Sequence, residues 1–234
     1  MASAPHTDEV YKQKRVPKGE VKFKDFQLRD FQKPVIEFIQ SKQMSVLIAD
    51  PGCSKTTLAL YFALTKLRKR EYEKIIITKP IVEVGVSIGF LPGSIEEKVE
   101  SYLISYTDII DKLVGVQERE KLFKEKQIVF EAIQFSRGRT YESSIIILDE
   151  AQGCTLHELM TFATRTHESS KLIVMADPLQ SDIKHTGIAE FIEIVSNEDE
   201  IGIIELGEEF QMRSQLVQRI YKKYKEHINN TKKK

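Results

Sequence analysis

The sequence has little that would mark a secreted, membrane-bound or fibrous protein. Only two cysteines occur in 234 residues, too few for a disulfide framework, and a reducing cytoplasmic setting is the expectation. No apolar run approaches the roughly 20 residues that a membrane span needs. The opening stretch MASAPHTDEVYKQKR has no apolar core of the kind a secretory signal uses, so none is expected. There is no internal repeat, no low-complexity linker and no excess of one charge, with 35 basic against 35 acidic residues. What remains, at 41% hydrophobic and 30% charged, is an ordinary globular composition with enough chain for one sizeable core.

The zero net charge hides an asymmetry. Residues 1–33 carry 8 Lys/Arg and 5 Asp/Glu, residues 211–234 carry 8 and 1, and the body between them is therefore acidic by 10. Basic ends suit a polyanionic partner, because Lys and Arg displace phosphate counterions; a solvated tail is the plainer account of Lys232–Lys234. Residues 1–19 are polar and without periodicity, and are expected as a mobile tail. Residues 20–228 are expected as a single domain and 229–234 as a basic tail.

Within the body, short Ile/Val-rich runs alternate with helical stretches. VKFKDF (21–26) reads as a short strand, and Asp30 as the N-cap of a helix over 31–42. Strands are expected at 44–49, 74–78, 127–133, 144–148, 171–176 and 201–206. Helices are expected at 55–70, 94–113, 155–165, 187–196 and 212–227, with 94–126 as a helical insertion. The runs lack internal alternation, as strands buried on both faces do. Strand–helix alternation implies right-handed crossovers: an α/β fold with a largely parallel sheet and helices on both faces.

Two segments carry chemistry. Ala49-Asp50-Pro51-Gly52-Cys53-Ser54-Lys55-Thr56-Thr57 lies between a strand and a helix, the setting of a phosphate-binding loop. Backbone N–H groups and the helix N-terminus would hold phosphate oxygens. Lys55 would reach the β- and γ-phosphates, and the Thr56 hydroxyl would ligate Mg²⁺. The spelling departs from GxxxxGK[ST], since Ala49 and Ser54 stand where glycines are expected. On spelling alone, ATP binding and a plain strand–turn–helix corner stand level. The second segment, SIIILDEAQ (144–152), is an apolar strand ending in two carboxylates. Asp149 at the tip would hold Mg²⁺, directly or through water, and Glu150 would polarise an attacking water. The two segments together favour an ATP–Mg²⁺ site. Cys53 in the loop reads as a small passive residue, and Cys154 with His157 and Glu158 lacks the second cluster that a metal site needs.

With these segments in view, the chain resembles the PhoH-like family, whose RecA-like P-loop NTPase core is related to superfamily 1 helicases. The likeness is carried by TKPIVEVGVSIGFLPGSIEEKVESYL (78–103), SRGRT (136–140), LDEAQ (148–152), TRT (164–166), ADPLQSD (176–182) and FQMRSQLVQRIYKKY (210–224). These cover about residues 30–225 in the family's order. The chain departs from the family at Ala49, Ser54, Lys79, Val86 and Gly153.

The resemblance implies roles. Gln32 is either an adenine reader or a solvent-facing helix residue. Gln180 is a γ-phosphate sensor, and Arg213 stabilises charge on the transferring phosphoryl group, within one chain or across an interface. Arg165 is either a phosphate contact or a structural ion pair. Lys79, Phe90, Arg137 and Arg139 fall where related cores meet nucleic acid, although a packed Phe90 and an ordinary basic turn at 137–139 are the plainer accounts. The implied function is a nucleic-acid-stimulated ATPase, a helicase or translocase on RNA or single-stranded DNA. One core has no second lobe to clamp a strand, so a homo-oligomeric ring, a hexamer, is expected. The alternatives are a nucleotide-binding regulatory module with weak turnover and a small-molecule phosphotransferase.

Overall fold

The computed structural model describes residues 26–49, 52–80, 95–133, 138–177, 187–207, 210 and 214–232. Six apolar runs form strands β1 (Met44–Ala49), β2 (Lys74–Lys79), β3 (Ile128–Ala132), β4 (Ser144–Leu148), β5 (Lys171–Ala176) and β6 (Ile201–Leu206). They make one sheet in the order β3-β2-β4-β5-β1-β6, and every pairing is parallel. The expected largely parallel α/β sheet is thus present, and its strand bounds fall within a residue of those read from the sequence.

Both faces of the sheet are covered, as the unbroken Ile/Val runs require. Successive side chains point to opposite faces. Ile145 and Ile147 of β4 join one core cluster, and Ile146 and Leu148 join the other. The first cluster is closed by α1 (Gln32–Ser41), α2 (Lys55–Arg68), α3 (Ile95–Leu113) and α4 (Val116–Lys124). The second is closed by α5 (Leu156–Ala163) and α6 (Ile188–Val195). Tyr106, Ile110 and Leu113 bury one face of α3 in the first cluster, so α3 is part of the core wall. The last helix, α7 (Gln215–Lys232), presents no buried side chain among the described residues.

Several local expectations are corrected. Asp30 does not cap α1. The residue before the helix is Phe31, and Asp30 instead pairs with Lys33 at 3.1 Å on the surface. The region 94–126 is two helices, because Gly115 at φ 90° interrupts the pattern before α4. Thr155 stands outside α5 as its N-cap, in a reciprocal capping box with Glu158. α7 begins three residues later than read and runs to Lys232. The strand read at 21–26 lies outside the described residues except Phe26, which is not in a strand. One glycine is enforced by packing. A Cβ at Gly187 would stand 1.9 Å from the Leu156 nitrogen, where the starts of α5 and α6 meet.

Candidate nucleotide site

The carboxyl ends of β1 and β4 meet through the residues that follow them, at the edge where open parallel sheets bind ligands. After β1 the chain turns through Gly52 (φ 96°) and Ser54 (φ 59°, ψ 30°) into α2. Ser54 is the N-cap, yet it lies in the left-handed region and its side chain makes no capping bond. A non-glycine residue there costs about 1–2 kcal/mol. Ala49 is different. It is the last residue of β1, buried and in register with Leu206 of β6, so nothing at that position calls for glycine's freedom. Cys53 is fully buried, with Sγ 3.6 Å from the Gly207 carbonyl and 3.7 Å from that of Leu206, which anchors the turn against the end of β6. Lys55 is 9% exposed, and its Nζ lies 3.5 Å from the Ala49 carbonyl, curled back over the strand end. Thr57 is half-buried in the first turn of α2, and Asp50 and Pro51 lie outside the described residues.

Asp149 follows β4 directly and is buried. Its Oδ2 accepts from the Thr56 hydroxyl at 3.1 Å and from the Tyr106 hydroxyl at 3.0 Å, and its Oδ1 accepts from the Glu150 N–H at 2.9 Å. Burial first, and then the Glu150 carboxylate, push the Asp149 carboxyl above its ordinary range. Lys55, the Tyr106 hydroxyl and the Glu150 N–H pull the other way. A buried carboxylate paired with a hydroxyl, beside a second carboxylate, is a set of hard oxygen donors that a cation would relieve. Thr56 and Asp149 therefore fit a divalent ion, and Lys55 with the α2 N-terminus fits phosphate.

Glu150 holds a left-handed conformation (φ 55°, ψ 37°) and opens a 3-10 turn, Ala151–Gly153. Its Oε2 accepts from Gln152 Nε2 at 2.5 Å. Gln152 is itself buried, and its Oε1 accepts from the Asp177 N–H at 2.9 Å, just beyond β5. One carboxamide thus ties Glu150 to the tip of the neighbouring strand. The sequence reading passed over both Gln152 and Tyr106. The repeat of apolar residues along α3 puts Tyr106 on its buried side, but nothing local signals that its hydroxyl reaches Asp149, 43 residues away.

The other expected residues scatter. Gln32 is buried, against the solvent-facing alternative, and its Oε1 accepts from the Arg29 N–H at 3.0 Å. Lys79 ends β2 at the same edge as Asp149. Arg139 pairs with Glu131 of β3 at 2.6 Å. Arg165 lies at the opposite edge. Its carbonyl accepts from the N–H of Tyr141, which precedes β4, and its guanidinium reaches the Arg139 carbonyl at 3.4 Å. These contacts are with backbone groups, and no ion pair of Arg165 occurs among the described residues. Glu158 is committed to its capping box, and no group of three or more metal-ligating side chains occurs among the described residues. Phe90, Arg137, Gln180 and Arg213 lie outside the described residues.

Comparison with known proteins identifies the fold and the family. The large terminase of a thermophilic bacteriophage superposes with a TM-score of 0.51 over 82% of this chain and 49% of its own, at 10% identity. That is a likeness of fold, and with the all-parallel sheet it makes the core RecA-like. The PhoH-like protein of Bacillus subtilis is 36% identical over 180 residues, which are 76% of this chain and 56% of that protein. Protein PhoH of Escherichia coli is 30% identical over 194 residues, which are 81% and 55%. The chain thus spans little more than half the length of these curated relatives. The family profile described as PhoH-like protein matches residues 27–225, and the chain belongs to the PhoH-like family.

Proposed function

We propose that the chain is a Mg²⁺-dependent ATPase of the PhoH type that works on a single-stranded nucleic acid as a homo-oligomer. The observation that carries the ATPase reading is the Thr56–Asp149 hydrogen bond, which joins the start of α2 to the tip of β4. In this reading Thr56 ligates Mg²⁺ and Asp149 holds it directly or through water. Residues 50–57 and Lys55 hold the phosphates. Glu150, oriented by Gln152, polarises the attacking water. Gln32 reads adenine, and Gln180 and Arg213 take the sensor and charge-stabilising roles that the family resemblance gives them. Mg²⁺ supplies charge neutralisation on the β- and γ-phosphates when bound.

Lys79, at the carboxyl edge of the sheet, supports the nucleic-acid reading, with Phe90 and Arg137 assigned by family resemblance. Arg139 would have to leave Glu131 to contribute. The homo-oligomer reading is supported by α7. Leu216, Ile220 and Tyr224, four residues apart and therefore on one helix face, are 58%, 59% and 50% exposed. Basic Arg219, Lys222 and Lys223 lie among them. On α6 and the turn after it, Ile194, 51% exposed, lies among exposed Glu190, Glu193, Glu198, Asp199 and Glu200. An apolar-basic stripe on one helix and an apolar-acidic patch on another are complementary surfaces of the kind that head-to-tail contact between copies uses, and a ring results where the rotation closes.

The test is steady-state ATP hydrolysis with and without single-stranded RNA or DNA, for the wild type and Glu150→Gln. Turnover should rise with the polymer and fall by at least ~100-fold in Glu150→Gln, with nucleotide binding kept. Hydrolysis that survives in the variant removes Glu150 from its role. Light scattering should give a multiple of the chain mass, reduced by Ile220→Asp. A fully active monomer overturns the ring.

A further inference from the structure

The Asp149 carboxylate is held by three donors from three parts of the chain: Thr56 in α2, the Glu150 N–H after β4, and Tyr106 in α3. They are not equivalent. The Glu150 N–H is backbone and comes with the turn. Thr56 belongs to the ion site itself, and its hydroxyl can go on donating to Asp149 while its oxygen turns a lone pair to the ion. Tyr106 has neither excuse. It is 4% exposed, and its ring packs 5.7 Å from Phe130 of β3, which meets Phe123 of α4 edge-on at 5.7 Å. That aromatic stack would be served equally by phenylalanine. The hydroxyl adds one thing, a 3.0 Å bond to Asp149 Oδ2.

A carboxylate offers about four acceptor positions. Three are filled here, two on Oδ2 and one on Oδ1, which leaves one for an ion or one of its waters. We infer that Tyr106 is a positioning residue for the metal ion: by holding Oδ2 it fixes which lone pair Asp149 presents, and it makes the affinity for Mg²⁺ depend on α3. The inference rests on the reading of Thr56 and Asp149 as an Mg²⁺–ATP site. It adds a residue from a helix outside the phosphate loop and the Asp149–Glu150 segment. Outer partners of ion ligands usually change metal affinity by about 10–100-fold when removed, and a tyrosine on a carboxylate belongs at the lower end.

The experiment is a titration of Mg²⁺ into protein with a non-hydrolysable ATP analogue, with analogue binding as the readout. Wild type, Tyr106→Phe and Phe130→Leu are compared, together with their thermal midpoints without Mg²⁺. Tyr106→Phe keeps the ring and should fold. It should need about 5–10-fold more Mg²⁺ for half-maximal binding, while the analogue's Kd at saturating Mg²⁺ stays within about twofold. Phe130→Leu should lower the thermal midpoint and leave the Mg²⁺ requirement unchanged. An unshifted Tyr106→Phe curve overturns the inference, as does an equal shift in Phe130→Leu, since packing alone would then explain it. Wild-type binding that ignores Mg²⁺ removes the underlying reading as well, and that outcome is visible before any variant is compared.

Discussion

The two edges of the sheet use the same unusual backbone conformation for opposite ends. At the amino edge, Arg70 (φ 59°) and Lys126 (φ 54°) follow α2 and α4 and stop them. The N–H groups of Arg70 and Glu71 return to the carbonyls of Leu67 and Lys66, and those of Lys126 and Gln127 to Phe123 and Leu122. A left-handed residue after a helix is thus repaid at once by satisfied carbonyls. At the carboxyl edge, Ser54 (φ 59°) and Glu150 (φ 55°) precede helical turns, and neither gives a side-chain cap. N-caps ordinarily sit in the extended region and accept from the first turn. At this edge the left-handed residues open helical turns instead of closing them, and the N–H groups of the first turn of α2 are where an anion would sit. One edge closes its helices with satisfied carbonyls; the other, in the proposed reading, opens its helical turns toward a ligand.

If the edges differ in this way, damage at the amino edge should be felt in stability alone. Ser170 is the sharpest case. It is buried, its hydroxyl donates to the Tyr141 carbonyl at 2.8 Å, and it accepts from the Ser144 N–H at 3.0 Å. Ser170→Ala takes the partner from the buried Ser144 N–H, while the Tyr141 carbonyl keeps the His167 N–H at 3.0 Å, and it should cost about 2 kcal/mol in urea unfolding. ATP turnover per folded molecule should stay at the wild-type value. A loss of turnover without a loss of stability would erase the distinction between the edges.

The same contrast explains how much the sequence disclosed. β4 and β5 were legible because strands buried on both faces need apolar side chains at every position, and SIIIL and KLIVMA supply them. Asp149 was legible because a carboxylate ending such a strand has no packing reason to be there. Tyr106 and Gln152 were not, because their parts depend on hydroxyl and carboxamide groups meeting residues far along the chain or on the next strand. Asp30 misled because a good capping residue one position early looks like a cap, while the chain enters α1 through Phe31. Ala49 and Ser54 looked like equal departures from glycine. Only the backbone separates them, since Ala49 is regular strand and Ser54 is left-handed.

That separation yields the next test. Ser54→Gly should relieve the left-handed strain and stabilise the chain by about 1 kcal/mol, less the few tenths that glycine loses in the unfolded state. Ala49→Gly has no strain to relieve and should destabilise, since glycine weakens a strand interior. Urea midpoints of the two variants, moving in opposite directions, are the expected result. Midpoints moving together would mean that the two positions are alike after all.

The smallest effect concerns a charge at the amino edge. Lys171 begins β5, is buried, and donates from Nζ to the Ile39 carbonyl near the end of α1 at 2.8 Å. Phe62 lies 5.8 Å from that nitrogen and 5.7 Å from the nitrogen of Lys66, which pairs with Glu71. Burial first, and then the neighbouring Lys66, lower the Lys171 ammonium from its ordinary 10.5 to about 8. Below pH 8 both the folded and the unfolded chain carry the proton, and the cost of burying the charge is present in full. Above it the unfolded chain keeps the proton and the folded chain does not, so stability rises with pH. The window closes near pH 9, where Cys154, raised from 9.0 to about 12 mainly by burial, begins to favour the unfolded state. Between pH 8 and 9 the gain should be ~0.5–1 kcal/mol after allowance for solvent screening. Lys171→Met should flatten the urea-midpoint profile across that interval. A wild-type profile that already falls there would show that Lys171 stays charged in the fold, and that even the stable edge of the sheet carries an unrelieved cost.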